Sequence, residues 1–128
     1  MIIDSSALIA IILEEPDAVA CMTKLSKASS LSLSAVTLTE TSMVLLSRGG
    51  QVKLDVLDAF LTQIDAEVVP VDRVQALLAR EAFDRYGKGR HKARLNLGDC
   101  FVYALAKYYG EPLLFLGDDF TETDLLRA

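Results

Sequence analysis

The run Met1-Ile2-Ile3-Asp4-Ser5-Ser6-Ala7-Leu8-Ile9-Ala10-Ile11-Ile12-Leu13 decides the fold class. Its apolar start ends at Asp4; Ser5 and Ser6, both good helix caps, then lead into apolar residues at helical spacing. A strand over 1–4 therefore passes directly into a helix that runs through residue 13. The rest of the chain repeats this alternation. Pro16 opens a helix to about residue 28, with Val19, Met22 and Leu25 at helical intervals, and 29–34 reads as a strand in which Leu31 and Leu33 alternate with serines. Helices over 36–47 and 53–64, separated at Arg48-Gly49-Gly50, form an expected hairpin, the second carrying Val56, Leu57, Phe60, Leu61 and Ile64 on one face. A strand over 68–71 precedes a helix capped by Asp72 and running through residue 86. A polar loop over 87–97, a helix over 98–109 closed by Gly110, and a strand over 112–116 follow, and Gly117-Asp118-Asp119-Phe120 is the turn that leaves it. The order β-α-α-β-α-α-β-α-α-β predicts an α/β fold: a mostly parallel sheet of four to five strands with helices on both faces.

Length and composition fit one domain over 1–128: the chain has 128 residues, 52% of them apolar, and no linker or repeat. Acids outnumber bases 18 to 13, a formal charge of −5, which excludes a general coating of nucleic acid and requires any contact with an anionic polymer to be local. The N-terminal apolar run lacks a basic flank and a small-residue cleavage site, and Asp4 interrupts it, so no secretion signal is expected. No apolar stretch approaches the roughly 20 residues of a membrane helix. Cys21 and Cys100 lie far apart without metal-type spacing, which argues against a disulfide framework or a Cys-based zinc site. The expected setting is a soluble protein in a reducing cytoplasm, with no membrane partner.

In a parallel α/β sheet, function gathers outside the carboxyl ends of the strands, and this sequence puts carboxylates there. Asp4 ends the first strand, and Asp118 and Asp119 follow the last. Glu40 shares its helix face with Val36, Met43 and Val44, a face expected to point at the core, and Asp99 opens a helix whose face continues through Val102, Tyr103 and Ala106. Singly, each has a plainer explanation: Asp4 and Asp99 as helix caps, Asp118 or Asp119 as turn residues, Glu40 paired with a distant base. Together they would repel one another and raise each other's pKa unless a cation neutralised them. Oxygen-only ligands suit Mg²⁺ or Mn²⁺, and such a site points to phosphodiester hydrolysis by metal-activated water. With His91 as the only histidine, a Ser/His/Asp triad has no support, and no phosphate-binding glycine motif is present.

The local basic patch is also visible. Arg85, Lys88, Arg90, Lys92 and Arg94 fall within ten positions without an acid among them, and His91 lies in the same stretch. It stands just before Asp99, so a phosphate backbone held by it would be led toward the acids; a merely solvated loop is the plainer alternative. Gly87 and Gly89 suggest a flexible loop that orders on substrate, and Tyr86 either stacks on a base or packs.

These residues resemble a known family. Met1-Ile2-Ile3-Asp4-Ser5-Ser6-Ala7-Leu8, the helical Glu40, Leu95-Asn96-Leu97-Gly98-Asp99-Cys100-Phe101-Val102-Tyr103-Ala104-Leu105-Ala106 and Pro112-Leu113-Leu114-Phe115-Leu116-Gly117-Asp118-Asp119-Phe120 are similar to the PIN-domain ribonuclease toxins of the VapC type, across essentially the whole chain. The resemblance implies a Mg²⁺- or Mn²⁺-dependent endoribonuclease. It also implies the toxin half of a bacterial type II toxin–antitoxin pair, inhibited by a VapB-like antitoxin and working as a homodimer. Asp4, Glu40 and Asp99 match the family's invariant acids. The fourth falls at Asp118 or Asp119; relatives often read Gly-Asn-Asp-Phe there, which favours Asp119. Ser6 matches a hydroxyl position beside the first aspartate, where it holds a metal-bound water or caps the helix. Leu116 departs from the pattern, since a lysine often stands at that position. An apolar groove near Leu8, Ile11 and Ile12 is the expected antitoxin surface, core packing being the alternative. The competing reading is a PIN fold that binds RNA or protein without cutting, which a missing acid would favour; a receiver-like or phosphatase fold is disfavoured because Asp4 lacks a second aspartate two residues on.

Overall fold

The computed structural model describes residues 1–128. Its elements alternate as the sequence predicts: β1 (Ile2–Ile3), α1 (Ser5–Ile12), α2 (Ala18–Leu25), β2 (Ser32–Ser34), α3 (Ala35–Gly49), α4 (Gln51–Gln63), β3 (Glu67–Val69), α5 (Arg73–Tyr86), α6 (Leu97–Tyr109) and β4 (Leu113–Leu114). The four strands form one parallel sheet in the order β3-β2-β1-β4, with Ile2 level with Ser32 and Leu113, and Ser34 level with Val69. No helix is long and apolar enough to cross a membrane.

Strand periodicity divides the core in two. Ile2 and Leu113 point to one face, packing with α5 and α6, while Ile3, Leu33 and Leu114 point to the other, packing with α1 to α4. Because β1 and β2 have neighbours on both edges and helices on both faces, Ser32 and Ser34 are buried, not solvent-facing as alternation with leucine suggests. Winding runs from β1 through β2 to β3 and then crosses back to β4, so the direction reverses between β1 and β4. That reversal opens a crevice at the carboxyl ends of those two strands, the usual place for a site in this architecture.

Two helix faces differ from the sequence reading. On α2 the buried residues are Cys21 and Leu25, while Val19 and Met22 are exposed, because α2 rests on α1 along only one edge. On α3 the buried stripe is Thr37, Thr41 and Leu45, so Glu40 and Met43 lie on a half-open face instead of in the core. Helical spacing of apolar residues reports that a face is sheltered, not by what.

The Thr37 and Thr41 hydroxyls are buried with no hydrogen-bond partner, unlike Thr39, which donates to the Ala35 carbonyl. Burying an unpaired hydroxyl costs folding free energy. Thr41→Val, which keeps the shape and removes that group, is therefore expected to raise stability by about 1 kcal/mol, read as a higher urea midpoint at unchanged slope.

Candidate active site

Each acid is placed by its own local structure. Asp4 extends β1 by donating its N–H to the Leu114 carbonyl at 2.9 Å, and its Oδ2 caps α1 by accepting the Ser6 N–H at 3.0 Å. The Ser6 hydroxyl donates to the same oxygen and accepts the Leu116 N–H at 3.0 Å, tying Asp4 to the end of β4. Asp99 sits in the first turn of α6, where its Oδ2 accepts the Asn96 N–H while Asn96 accepts the Asp99 N–H, each at 2.9 Å, a reciprocal cap. Glu40, in the middle of α3, receives the Ser5 hydroxyl on Oε1 at 2.6 Å. Asp4 and Asp99 are thus helix caps through one oxygen each, and the other oxygen makes no hydrogen bond.

Ser5, next to Asp4, bonds Glu40, and Gly98, next to Asp99, borders the Glu40 carboxylate, so these three acids are neighbours. Burial raises the Asp99 carboxyl to about 6, against the opposing Asn96 N–H, and Asp119, Asp4 and Glu40 push it further. Asp4, 6% exposed, is raised above the ordinary carboxylate range chiefly by burial, opposed by its bonds to Ser6 and helped by repulsion from Glu40. None of the four forms an ion pair. Asp119 is among the charges that raise Asp99. Asp118 and Asp119 both stand exposed on the turn after β4.

The donor set is hard oxygen throughout and carries unneutralised negative charge, the chemistry that suits Mg²⁺ or Mn²⁺. Nowhere do three carboxylate, imidazole or thiol groups stand as a ready-made ion cage, so holding one requires these side chains to draw inward.

The basic stretch is folded, not loose. Lys88 N–H donates to the Leu95 carbonyl and Leu95 N–H to the Tyr86 carbonyl, while Ala93 and Leu95 are buried. Gly87 is needed for space, since a Cβ there would overlap the Phe83 carbonyl and ring. Tyr86 packs in the core, with His91 against its ring edge and the His91 Nδ1 accepting the Ala93 N–H. Arg85 donates to the Tyr86 and Tyr103 hydroxyls and lies 3.7 Å from Asp124. Arg90 pairs with Asp84 at 2.6 Å and Lys92 with Glu122 at 2.8 Å. Lys88 and Arg94 are exposed and have no carboxylate partner.

Two residues at the site carry a role that the sequence reading did not give them. Ser5, noted there only as a cap, bonds Glu40, and Gly98 leaves open a space that the Glu40 carboxylate occupies. The available signal was a glycine in the first turn of a helix, where that residue is otherwise unfavourable.

The PIN domain family model matches residues 1–126. The chain is 46% identical to Ribonuclease VapC of Mycolicibacterium smegmatis over 125 residues, covering 98% of this chain and 97% of that one. It is 43% identical to Ribonuclease VapC30 of Mycobacterium tuberculosis, with 98% and 95% coverage. Among solved structures, the Mycobacterium tuberculosis toxin VapC20, described as cleaving the sarcin–ricin loop, superposes with a TM-score of 0.81 at 18% identity, covering 99% of this chain and 97% of that one; this likeness concerns the fold.

The raised Asp99 carboxyl sets a pH dependence. Its folded value of about 6 lies above the ordinary 3.8, so the folded state binds this proton more tightly, and ionisation of Asp99 weakens folding between those values as pH rises. In chelator at pH 8, Asp99→Asn is expected to be more stable than the parent by up to about 3 kcal/mol. The difference should shrink as pH falls through 6 and vanish near 4, as measured by urea denaturation of both proteins across that range.

Proposed function

The chain belongs to the PIN-domain family and within it to the VapC ribonucleases, and from that membership we propose that it is a divalent-metal-dependent endoribonuclease, the toxin of a type II toxin–antitoxin pair. What supports this reading is that Glu40 is held against the neighbours of Asp4 and Asp99, Ser5 and Gly98, that Asp119 raises the Asp99 carboxyl, and that none of the four has a basic partner. These four would hold Mg²⁺ or Mn²⁺, Asp119 taking the fourth place ahead of Asp118. The ion supplies an activated water and neutralises charge on the scissile phosphate. Ser6 fixes Asp4 against the end of β4 and the α6 cap fixes Asp99, so the oxygen that each leaves unbonded would be free to hold the ion. Lys88 and Arg94 grip RNA phosphate directly, and Arg90 and Lys92 do so by exchanging exposed carboxylate partners, pairs worth under about 1 kcal/mol each.

A VapB-like antitoxin is the partner we assign to the apolar groove between α1, α2 and α4, lined by Ile11, Val19, Met22, Val56 and Phe60. Leu8 is fully buried and serves the core instead. The family reading also carries a cytoplasmic homodimer, and the exposed Met43 and Leu46 on α3 are apolar surface available to a second copy.

The test is cleavage of total bacterial RNA by antitoxin-free protein with Mg²⁺ or Mn²⁺, with chelator, and beside Asp4→Asn and Asp99→Asn. Discrete cuts are expected only with metal, and each substitution should reduce the rate roughly hundredfold or more while the protein stays folded. Folded protein that neither cuts nor binds metal would instead be the non-cleaving RNA- or protein-binding module. Val56→Asp and Met22→Asp, at exposed groove positions, should leave cleavage intact and weaken antitoxin binding by about 2 kcal/mol, read by calorimetry.

A further inference from the structure

Of the three acids that line the crevice wall, Glu40 alone lacks a local cap. Asp4 and Asp99 are short side chains held at helix N-termini by their own chain neighbours, whereas Glu40 is a longer, freer side chain in mid-helix, half-exposed beside an open groove that also contains Val36, Met43 and Leu97. Left to itself, its carboxylate would turn toward water. Two contacts from other elements prevent this. The buried Ser5 donates its hydroxyl to Oε1 at 2.6 Å. On the other side, Oε2 stands where a Cβ on residue 98 would be, with the carboxyl carbon 3.0 Å from that position. Gly98 does not adopt the left-handed backbone that calls for glycine, and glycine is a poor helix former, so what it contributes is space.

We propose that Ser5 and Gly98 are positioning residues that build a two-sided slot for the Glu40 carboxylate, one by hydrogen bonding and the other by having no side chain. Ser5 directly follows Asp4 and Gly98 directly precedes Asp99, so the slot sets the spacing of all three acids through two residues adjoining the other two. The inference rests on the ribonuclease reading above for its effect on catalysis, but not for its effect on the free protein.

The experiment uses the full chain with Gly98→Ala, Ser5→Ala, Ser5→Thr, Glu40→Ala and the Gly98→Ala/Glu40→Ala pair. It reads thermal midpoint in chelator, Mn²⁺ affinity by calorimetry, and kcat and KM on RNA. The atom displaced by a Cβ at 98 is the end of a flexible side chain, so Gly98→Ala should fold and melt within a few degrees of the parent. Its Mn²⁺ affinity should fall at least about tenfold and kcat should drop with KM little changed, matching Glu40→Ala, and the pair should be no worse than Glu40→Ala alone. Ser5→Ala should lose part of both, and Ser5→Thr should restore them. Gly98→Ala should raise the midpoint more when combined with Glu40→Ala than alone, because nothing then has to move. Normal affinity and rate for Gly98→Ala beside a defective Glu40→Ala would overturn the slot, as would failure of Gly98→Ala to fold or equal midpoint shifts in both backgrounds. A parent protein that neither binds Mn²⁺ nor cuts would sink the ribonuclease reading, leaving the slot to be decided by the midpoints alone.

Discussion

The constraint on which the rest depends is negative charge held without a counter-charge. Three carboxylates and a fourth on the neighbouring turn share one crevice, no lysine or arginine pairs with any of them, and Asp99 is pushed to about 6 by burial and by the other three. Such a cluster opposes folding. A protein that keeps it must therefore supply partial positive charge from elsewhere, and here the backbone does so.

The supply comes from helix N-termini. Asp4 caps α1 and Asp99 completes the cap of α6, so each carboxylate sits where unpaired N–H groups and the helix dipole favour an anion. The parallel sheet makes this possible: a strand that ends at its carboxyl edge passes at once into the N-terminus of a helix, and the β1/β4 reversal brings two strand ends to one crevice. Each stabilising bond uses only one oxygen of each carboxylate. The same arrangement that makes the cluster tolerable leaves one oxygen of each carboxylate open. Ser6 shows the economy most directly, since one hydroxyl joins Asp4 to the backbone at the end of β4.

The fold was legible because local signals agree with it. The apolar run before Asp4, the serines after it and the Gly110 stop each act within a few residues, and the element order follows from them. Asp4, Asp99 and Asp119 could be placed for the same reason: they fall at a strand end, a first helical turn and the turn after β4, positions that sequence locates well, whereas Glu40 stands mid-helix. What was not legible depends on which neighbour covers a face. Val36, Met43 and Val44 around Glu40 looked like core, yet the stripe that packs is Thr37, Thr41 and Leu45. Val19 and Met22 looked like core, yet they line a groove. Ser5 and Gly98 were invisible as partners of Glu40, because 35 and 58 residues separate them from it and no local pattern encodes that meeting. Arg85, Arg90 and Lys92 read as an unopposed basic run because their carboxylate partners come from the preceding turn of α5 and from the segment beyond β4.

That pairing changes how the basic stretch can act. A free cationic loop would attract an anionic polymer from a distance, but here exposed carboxylates already screen three of its charges, and the chain as a whole is acidic. Attraction therefore becomes a matter of contact: a phosphate must approach closely enough to replace Asp84 on Arg90 or Glu122 on Lys92. Exposed pairs are weak, so this exchange costs little. One of them also reaches the segment that carries Asp119. Glu122 lies three residues beyond Asp119, and its bond to Lys92 ties the segment carrying the fourth acid to the loop that precedes Asp99. That pair is one of several holds on the segment, since Asp124 also accepts from the Tyr103 hydroxyl and from Lys107, and Phe120 is buried in the core. With a weak exposed pair set beside a buried aromatic ring and two further bonds, the position of Asp119 depends on the core more than on Lys92.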